Sequence, residues 1–296
     1  MNCDKMINYK TCFKLLRPKL WIASSVSTFI GFIYALNLNF SFLPLYFLVS
    51  LLITGPLIGG GAVILNQYFD LEEDKRSQKR EKYVLAKGEI KKRYALIYAI
   101  ILFIVGNLLA FYINFQVFFI TLLATLLSIL YSVPPLRFKK RPYIDSITNG
   151  ICYGILPTIL GFAIVLPVSL NILIISLPLM FVYTAGHMLL AIPDIENDKK
   201  FGLQTTAVVL GYKNTIIGAM SLFLITMITI ALYIYAKLLP LIIVFIFPIG
   251  IYILKECSIM IKSNKKSIET SYKHLSFEFL SVGIIFLLCL VYNLLI

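Results

Sequence analysis

Long apolar runs alternate with short polar segments along almost the whole of this chain of 296 residues. A helix needs roughly 20 apolar residues to cross a bilayer. Nine runs meet this requirement, at residues 17–37, 43–66, 93–112, 115–132, 144–165, 169–192, 212–235, 238–254 and 275–296. Such runs form helices in lipid, because a helix satisfies its own backbone hydrogen bonds. The pattern predicts an all-α integral membrane protein with nine transmembrane helices, a single domain over residues 1–296 in which residues 1–16 form a cytoplasmic leader.

Composition supports a membrane protein, because 59% of the residues are hydrophobic and only 14% are charged. A soluble domain of this size carries more polar side chains on its surface. The five cysteines include no closely spaced pair, which argues against a disulfide framework and against a zinc site. We predict no cleavable signal sequence, because the first apolar run is long enough to span the bilayer.

Basic residues are distributed unevenly between the segments that connect the predicted helices. Of the 27 Lys and Arg residues, all except Lys237 lie in alternate connecting segments. Because positive charge favours the cytoplasmic side, we predict a cytoplasmic N-terminus and an extracytoplasmic C-terminus in the cell membrane. This topology and contact with anionic lipid account for most of the net charge of +13, so we expect no nucleic acid partner. We also predict no obligate protein partner.

Acidic residues gather at the cytoplasmic ends of two predicted helices. Asn66, Asp70 and Asp74 are spaced i, i+4 and i+8, which places an amide and two carboxylates on one helix face. Asp194 and Asp198 repeat the i, i+4 spacing at the end of the sixth helix. Converging carboxylates repel one another unless a cation lies between them, and Mg²⁺ prefers oxygen ligands that phosphates complete. The sequence therefore predicts a cytoplasmic Mg²⁺ site, and the neighbouring Lys and Arg residues suit a diphosphate.

A solvated helix end is the alternative interpretation of each acidic motif. It would be favoured for a single motif, whereas two motifs with matching spacing on one side of the membrane favour a binding site. Glu72, Glu73 and Glu196 lie within the two motifs, and a solvated role is predicted for them rather than metal binding.

Three segments resemble motifs of the UbiA prenyltransferase superfamily. Asn66-x3-Asp70-x3-Asp74 resembles the first aspartate-rich motif, residues 194–211 resemble the second, and residues 131–142 resemble the segment between helices four and five. The resemblance implies a single helical bundle around a central cavity that opens to lipid, where two Mg²⁺ ions hold a polyprenyl diphosphate. It implies that the four aspartates are catalytic, and that the metal ligands are Asn66, Asp70, Asp74, Asp194 and Asp198.

Further side chains are assigned from their positions beside these motifs. The residues predicted to bind the diphosphate are Arg76, Arg80, Lys82, Arg137 and Lys140. The residues predicted to line the cavity or to position the acceptor are Tyr68, Tyr131, Asp145, Asn149 and His187. Ordinary packing is the alternative for the aromatic residues and for His187, and topology is the alternative for the basic residues. The family often has prolines after the first motif, whereas residues 77–83 contain none.

The resemblance implies an enzyme, a membrane-embedded and Mg²⁺-dependent prenyltransferase that moves an allylic prenyl group to a lipophilic acceptor. Residues 134–150 and 191–196 look most like the lycopene elongase branch, which implies isoprenoid and carotenoid biosynthesis with an acceptor such as lycopene. Alternatives within the family are an aromatic acceptor, as in quinone biosynthesis, and a terpene cyclase. A cation transporter is the alternative from another class, but its acidic residues would be expected near mid-membrane.

Overall fold

The computed structural model describes residues 9–40, 43–76, 81, 83–262 and 282–295, and this part of the chain contains helices and no β-strand. The helices are α1 (Tyr9–Leu16), α2 (Ile22–Leu38), α3 (Pro44–Leu52), α4 (Gly60–Phe69), α5 (Leu71–Arg76), α6 (Lys92–Ile113), α7 (Phe115–Ser132), α8 (Ile144–Gly150), α9 (Leu156–Ala163), α10 (Leu170–Ala191), α11 (Ile195–Lys200), α12 (Thr206–Tyr235), α13 (Phe247–Lys262) and α14 (Val282–Leu295). The predicted all-α class is confirmed.

Seven helical segments of the described chain are long and apolar enough to cross a membrane. They are Pro44–Phe69, Lys92–Ile113, Phe115–Ser132, Ile144–Ala163, Leu170–Lys200, Thr206–Tyr235 and Leu241–Lys262. These segments correspond to the second to the eighth predicted helices. An eighth candidate is the pair Tyr9–Leu20 and Ile22–Leu38, whose two parts are bent by 59°.

The first and the last predicted spans differ from the structure, so the count of nine is not confirmed. Arg17 adopts a left-handed conformation with φ 49°, and a 3₁₀ turn follows at Pro18–Leu20, so the first span is bent near its start. At the other end, α14 is a shorter apolar helix than the seven candidate spans. The remainder of the predicted span 275–296 lies outside the described residues.

Two of the spans contain a π-helical turn, at Ile53–Gly59 and at Ile151–Ile155. Pro56 lies inside the first turn and has no backbone N–H to donate, which favours a local departure from the α-helix. Thr54 and Tyr153, one from each turn, line the same cavity. The irregular turns therefore lie on the wall of the space in which a ligand could bind.

Helices α2 and α9 cross with their backbones in direct contact. A Cβ atom at Gly31 would lie 1.8 Å from the carbonyl oxygen of Thr158, and one at Gly161 would lie 1.9 Å from that of Thr28. Small residues commonly occupy such positions, because they let membrane helices approach closely. The crossing holds together two helices that both contribute side chains to the cavity wall.

Candidate active site

A cavity of about 870 Å³, here called the large cavity, lies between helices that include α2, α4, α7, α10 and α12. Its wall is mainly aliphatic and aromatic, with Asn66, Tyr131, Asn149 and His187 among its polar residues. Ile53 and Asn66 both line it, and their separation of 13 positions on one span corresponds to about 20 Å at 1.5 Å per residue. The large cavity can therefore hold a long apolar chain.

A second cavity of about 190 Å³, here called the small cavity, adjoins the large one. Leu20, Val63 and Asn66 line both. The remaining lining residues of the small cavity are Arg17, Gln67, Asp70, Asp74 and Tyr83. An apolar space therefore meets a charged one at Asn66.

The α-helix is interrupted at the start of each aspartate pair. Asp70 lies between α4 and α5 with φ −95° and ψ 0°, and Asp194 precedes α11 with φ −94° and ψ −8°. The conformation of Asp70 lies in the sparsely populated bridge region, where many active-site residues are found, and Asp194 ends the 3₁₀ turn Ile192–Asp194. Helical hydrogen bonds continue through the first interruption, from Asp70 N to Asn66 O (3.0 Å) and from Asp74 N to Asp70 O (2.8 Å). Asn66, Asp70 and Asp74 therefore line one cavity, but the helix that carries them is interrupted at Asp70.

Two cations from the loop between α7 and α8 bind Asp70. Arg137 Nη2 donates to Asp70 Oδ1 over 2.7 Å, and Lys139 Nζ donates to the same oxygen. Lys139 Nζ also donates to Asn66 Oδ1 over 3.2 Å. Arg137 has a left-handed conformation with φ 41° and begins the 3₁₀ turn Phe138–Lys140, which brings both cations to the same carboxylate. The side chain of Lys139 is only 10% exposed, so the contact forms away from bulk water.

Glu73 extends this cluster by one helical turn. Arg137 Nη2 donates to Glu73 Oε1 over 3.2 Å, and Lys140 Nζ donates to the same oxygen over 2.6 Å. Glu73 was predicted to be solvated, but its side chain is 29% exposed and forms ion pairs. Its i+3 spacing from Asp70 was the signal that could have identified it. Lys139 was also missed, because its position depends on a 3₁₀ turn that no spacing pattern predicts.

Crowding of charge alters the acid–base behaviour of the cluster. Burial and the nearby charge of Asp70 raise the pKa of Asp74 from 3.8 to about 7. Burial lowers the pKa of Lys139, and the charge of Asp70 opposes that shift. Two carboxylates in one partly buried space favour the binding of further positive charge.

Orphaned polar atoms at and beside the small cavity fit a divalent cation and a diphosphate. Gln67 Oε1 is buried without a hydrogen-bond partner and lines the small cavity with Asn66, Asp70 and Asp74. Arg137 pairs with Asp70 but does not line the small cavity, and its Nε is a buried donor without a partner that a phosphate oxygen could satisfy. Across the described residues, no three Asp, Glu, His or Cys side chains are grouped as a metal site. A metal here would depend on two carboxylates, amide oxygens and donor phosphates, which is a common arrangement for Mg²⁺.

The second aspartate motif borders neither cavity and contacts the start of α12. Asp198 Oδ2 accepts a hydrogen bond from the hydroxyl of Thr205, the N-cap residue of α12, over 3.4 Å. Glu196 accepts one from Tyr212 over 3.4 Å. The four aspartates predicted to share the metal therefore do not form one cluster in this structure. A metal-binding role of Asp194 and Asp198 stays a prediction.

The structure describes three of the five predicted diphosphate-binding residues, and they lie at two locations. Arg137 and Lys140 belong to the ion-pair cluster, whereas Arg76 is exposed at the end of α5. Arg80 and Lys82 lie outside the described residues. Arg17, which was not predicted, lines the small cavity with its guanidinium carbon 4.9 Å from the centre of the Tyr83 ring.

A chain of polar side chains runs from the large cavity into the protein. Asn149 donates to the Tyr131 hydroxyl (3.0 Å), which lies 3.4 Å from His187 Nε2. His187 Nδ1 lies 3.1 Å from the Ser146 hydroxyl, which donates to Asp145 over 3.2 Å. Because a carboxylate only accepts, Nδ1–H donates to Ser146, and Nε2 accepts from Tyr131. This direction leaves Nε2 as the basic nitrogen beside the cavity.

Tyr68 and Asp145 are not on the cavity wall, contrary to our prediction. Tyr68 follows Asn66 by two residues, about 200° around the helix, and its ring packs 4.3 Å from the Lys92 ammonium. Asp145 is 1% exposed and accepts from the backbone N–H of Thr206 over 2.8 Å, which joins the start of α8 to that of α12. The other three predicted cavity residues are on the wall: Tyr131, Asn149 and His187.

Comparison with known proteins relates this arrangement to one family. The profile of the UbiA prenyltransferase family matches residues 24–294. A lycopene elongase/hydratase of Haloarcula japonica is 31% identical over 223 residues, 68% of this chain and 67% of that protein. A digeranylgeranylglyceryl phosphate synthase of Sulfolobus acidocaldarius is 27% identical over 275 residues, 90% of this chain and 92% of that protein. A UbiA homologue of Archaeoglobus fulgidus, solved with DMAPP and Mg²⁺, matches with a TM-score of 0.72 at 25% identity, covering 94% of this chain and 99% of that chain.

The fold and these matches define a multi-pass membrane prenyltransferase. The chain belongs to the UbiA prenyltransferase family. The family and the enzyme class inferred from the three sequence motifs are thus confirmed. Structures of relatives with prenyl diphosphates and Mg²⁺ indicate that the family uses a divalent metal.

Proposed function

We propose that this enzyme transfers a prenyl group from a Mg²⁺-bound polyprenyl diphosphate to an uncharged lipophilic acceptor, a carotenoid such as lycopene. The observation that carries the proposal is the junction at Asn66 of an apolar cavity of about 870 Å³ with an acid-lined cavity of about 190 Å³. The donor has the same two parts, an apolar chain and an anionic head. The relative named lycopene elongase/hydratase supports the acceptor class.

The residues of the small cavity would hold the head of the donor. Asp70 and Asp74 are the carboxylate ligands of the metal, with Asn66 Oδ1 and Gln67 Oε1 as further oxygens. Bound Mg²⁺ supplies positive charge to the departing diphosphate. Asp194 and Asp198 are proposed to join the metal site from the second motif, because they repeat the spacing of the first motif and the backbone angles at its start. They border neither cavity in this structure, so the second motif would have to approach Asp70 when metal and donor bind.

The loop between α7 and α8 would bind the leaving group. The C–O bond of the donor breaks, and its electron pair leaves with the diphosphate, whose oxygens accept hydrogen bonds from Arg137 and Lys139. Arg137 Nε, a buried donor without a partner, is satisfied by one of these oxygens. The apolar wall of the large cavity excludes water that would otherwise capture the allylic cation.

The polar chain at the large cavity would complete the transfer. A π-electron pair of the acceptor forms the new C–C bond, and the acceptor then loses a proton. Tyr131 and His187 lie on the cavity wall, and His187 Nε2 is the basic nitrogen that can take up this proton. Ser146 and Asp145 hold the imidazole in the required tautomer.

The lining of the large cavity favours an acceptor without charge. Among the described residues on its wall, Lys19 is the one Lys or Arg, and none is Asp or Glu. A carboxylate or phosphate taken into this wall would lose hydration with a single cation to replace it. Lycopene is a hydrocarbon and has no charged group whose hydration would be lost. The lining therefore supports lycopene over 4-hydroxybenzoate as the acceptor.

A phosphate-bearing acceptor is the second candidate. Lys19 could pair with such a group, and the Sulfolobus acidocaldarius relative named digeranylgeranylglyceryl phosphate synthase covers 90% of this chain. Replacement of Lys19 by methionine separates the two candidates. The change would lower transfer to a phosphate-bearing acceptor far more than transfer to lycopene.

The distribution of Lys and Arg supports a cytoplasmic N-terminus and active site, with an extracytoplasmic C-terminus in the cell membrane. The donor head would then enter the small cavity from the cytoplasm. The acceptor, which is soluble in lipid, would enter the large cavity from the bilayer.

The test is an assay of the purified enzyme in lipid with dimethylallyl, geranyl or geranylgeranyl diphosphate and with lycopene or 4-hydroxybenzoate. We expect Mg²⁺-dependent diphosphate release and, by mass spectrometry, lycopene extended by a prenyl group. Product from 4-hydroxybenzoate alone would overturn the proposed acceptor, and a cyclic hydrocarbon formed without an acceptor would indicate a terpene cyclase. Ion flux in liposomes without diphosphate release would instead support a transporter.

A further inference from the structure

Lys139 makes its side-chain hydrogen bonds to two residues of the first aspartate motif. Its ammonium donates to Asn66 Oδ1 over 3.2 Å and to Asp70 Oδ1. The side chains of Lys139 and Asp70 are 10% and 19% exposed, so water screens this pair weakly. In the structure, the ammonium thus lies against oxygens that the proposed metal would use.

Arg137 and Lys140 are engaged differently from Lys139. Arg137 Nη2 donates to the Phe69 carbonyl oxygen and to Glu73 in addition to Asp70, so three acceptors hold it. Lys140 donates to Glu73 over 2.6 Å. Lys139 therefore differs from both, because each of its two acceptors is a proposed metal ligand.

The charges at Asp70 explain why Lys139 has to move when a metal binds. Arg137 and Lys139 donate to one carboxylate oxygen and together supply two positive charges, the charge of one Mg²⁺ ion. A metal added beside both would be repelled by them in this weakly screened site. The diphosphate that accompanies the metal offers new acceptor oxygens, and the flexible four-carbon stem of lysine can reach them.

We propose that Lys139 is an internal counter-ion that competes with the metal for the first aspartate motif and that transfers to the donor diphosphate when metal and donor bind together. The inference rests on the proposed function, because it takes Asn66 and Asp70 as metal ligands. Competition for the same oxygens makes metal binding weak in the absence of the donor. The binding of metal and the binding of donor are then coupled, and the coupling acts equally in both directions.

The test measures Mn²⁺ binding to the detergent-purified enzyme without donor, by electron paramagnetic resonance of free Mn²⁺. Lys139→Met removes the competitor, and we expect Mn²⁺ to bind on the order of tenfold more tightly than to the wild type. The same variant should have a higher KM for geranyl diphosphate, because the diphosphate loses a partner. Lys139→Arg keeps a cation near Asp70 and should leave Mn²⁺ binding close to that of the wild type.

Lys140→Met is the matched control, because it removes one charge from the same loop but none from Asp70. We expect its Mn²⁺ affinity to rise by less than about threefold, through the general change of charge alone. Lys139→Gln, which retains hydrogen-bonding capacity, replaces Lys139→Met if thermal unfolding shows that the latter is not folded. Unchanged or weaker Mn²⁺ binding without Lys139, or a gain equal to that of Lys140→Met, overturns the inference.

Failure of the proposed function gives a different result. If the wild type releases no diphosphate from any of the three donors in the presence of acceptor and Mg²⁺, the enzymatic proposal is wrong, whatever the Lys139 variants bind. If diphosphate release is normal but the Mn²⁺ affinities of wild type and Lys139→Met are equal, only the counter-ion inference is wrong.

Discussion

Asp70 accepts hydrogen bonds from two cations that lie 67 and 69 residues further along the chain. Asp70 and Arg137 were both predicted from the sequence, because the i, i+4 spacing of the acidic residues and the basic residues of the loop can be read from the sequence alone. Lys139 and Gln67 were not predicted from the sequence. The position of the Lys139 side chain depends on a 3₁₀ turn, and Gln67 is identified only by the burial of its unpaired side-chain oxygen in the folded protein. Helical spacing thus predicts which side chains share a face, but not which distant residue contacts that face.

Replacement of Asp70 by asparagine removes a proposed metal ligand and the acceptor for two cations. We expect diphosphate release from geranyl diphosphate to fall by a factor of about 10²–10³, as measured by a coupled phosphate assay. Glu72→Gln is the control, since Glu72 pairs with Lys75 at the exposed side of α5. Turnover of Asp70→Asn within a few-fold of the wild type would remove Asp70 from the active site.

Asp74 makes the stability of the metal-free protein depend on pH. The pKa of Asp74, raised by burial and by Asp70, is about 7 in the folded protein, against an ordinary value of 3.8. Between these values the folded state holds a proton that the unfolded state has lost, so the free energy of unfolding falls as pH rises. Thermal unfolding in detergent with EDTA should show this fall. The slope should be smaller in Asp74→Asn, and an unchanged slope would assign the pH dependence to other groups.

Helix breaks and close crossings are the element-scale features that place the site. Most of the predicted helices end within a few residues of the observed ones, but the eighth, predicted to end at residue 254, continues to Lys262. The sequence also did not indicate that Asp70 and Asp194 interrupt the α-helix with nearly equal backbone angles. It also did not indicate which glycines are needed for packing. Gly31 and Gly161 face partner backbones at the α2–α9 crossing, whereas a Cβ at Gly186 would contact nothing within 4 Å.

Gly161→Ala should separate α2 from α9, because its Cβ would lie 1.9 Å from the Thr28 carbonyl oxygen. We expect a loss of stability of about 1–3 kcal/mol, seen as a lower midpoint of thermal unfolding in detergent. Gly186→Ala is the control and should leave stability equal or slightly higher, because alanine is the better helix former. Equal stability of the two variants would mean that the crossing tolerates a wider separation.

The whole molecule is a set of membrane-crossing helices with an apolar cavity that meets a charged one. Seven of the runs predicted from hydropathy coincide with helical segments that are long and apolar enough to cross a membrane, where a helix satisfies its own backbone polar groups. Hydropathy overestimated the regularity of the first span, where Arg17 and Pro18 introduce a bend. The cavity of about 870 Å³ was expected only through the family resemblance, since a cavity arises from the packing of several helices.

The length of the large cavity should limit the length of the donor chain. Ile175 lines this cavity and precedes Leu190 on the same wall by 15 residues, about 22 Å along the helix. Ile175→Trp should raise the KM for geranylgeranyl diphosphate about tenfold or more and leave that for dimethylallyl diphosphate nearly unchanged. Leu173→Trp, on the exposed side of the same helix, is the control. Equal effects on both donors would place the prenyl chain elsewhere.

A structure of the enzyme with Mn²⁺ and geranyl thiodiphosphate, which is cleaved slowly, tests the central claim most directly. The account predicts an anomalous Mn²⁺ peak bound by Asp70, a diphosphate hydrogen-bonded by Arg137 and Lys139, and a geranyl chain in the cavity lined by Tyr131 and His187. A metal peak away from Asp70, or a geranyl chain outside that cavity, would contradict it.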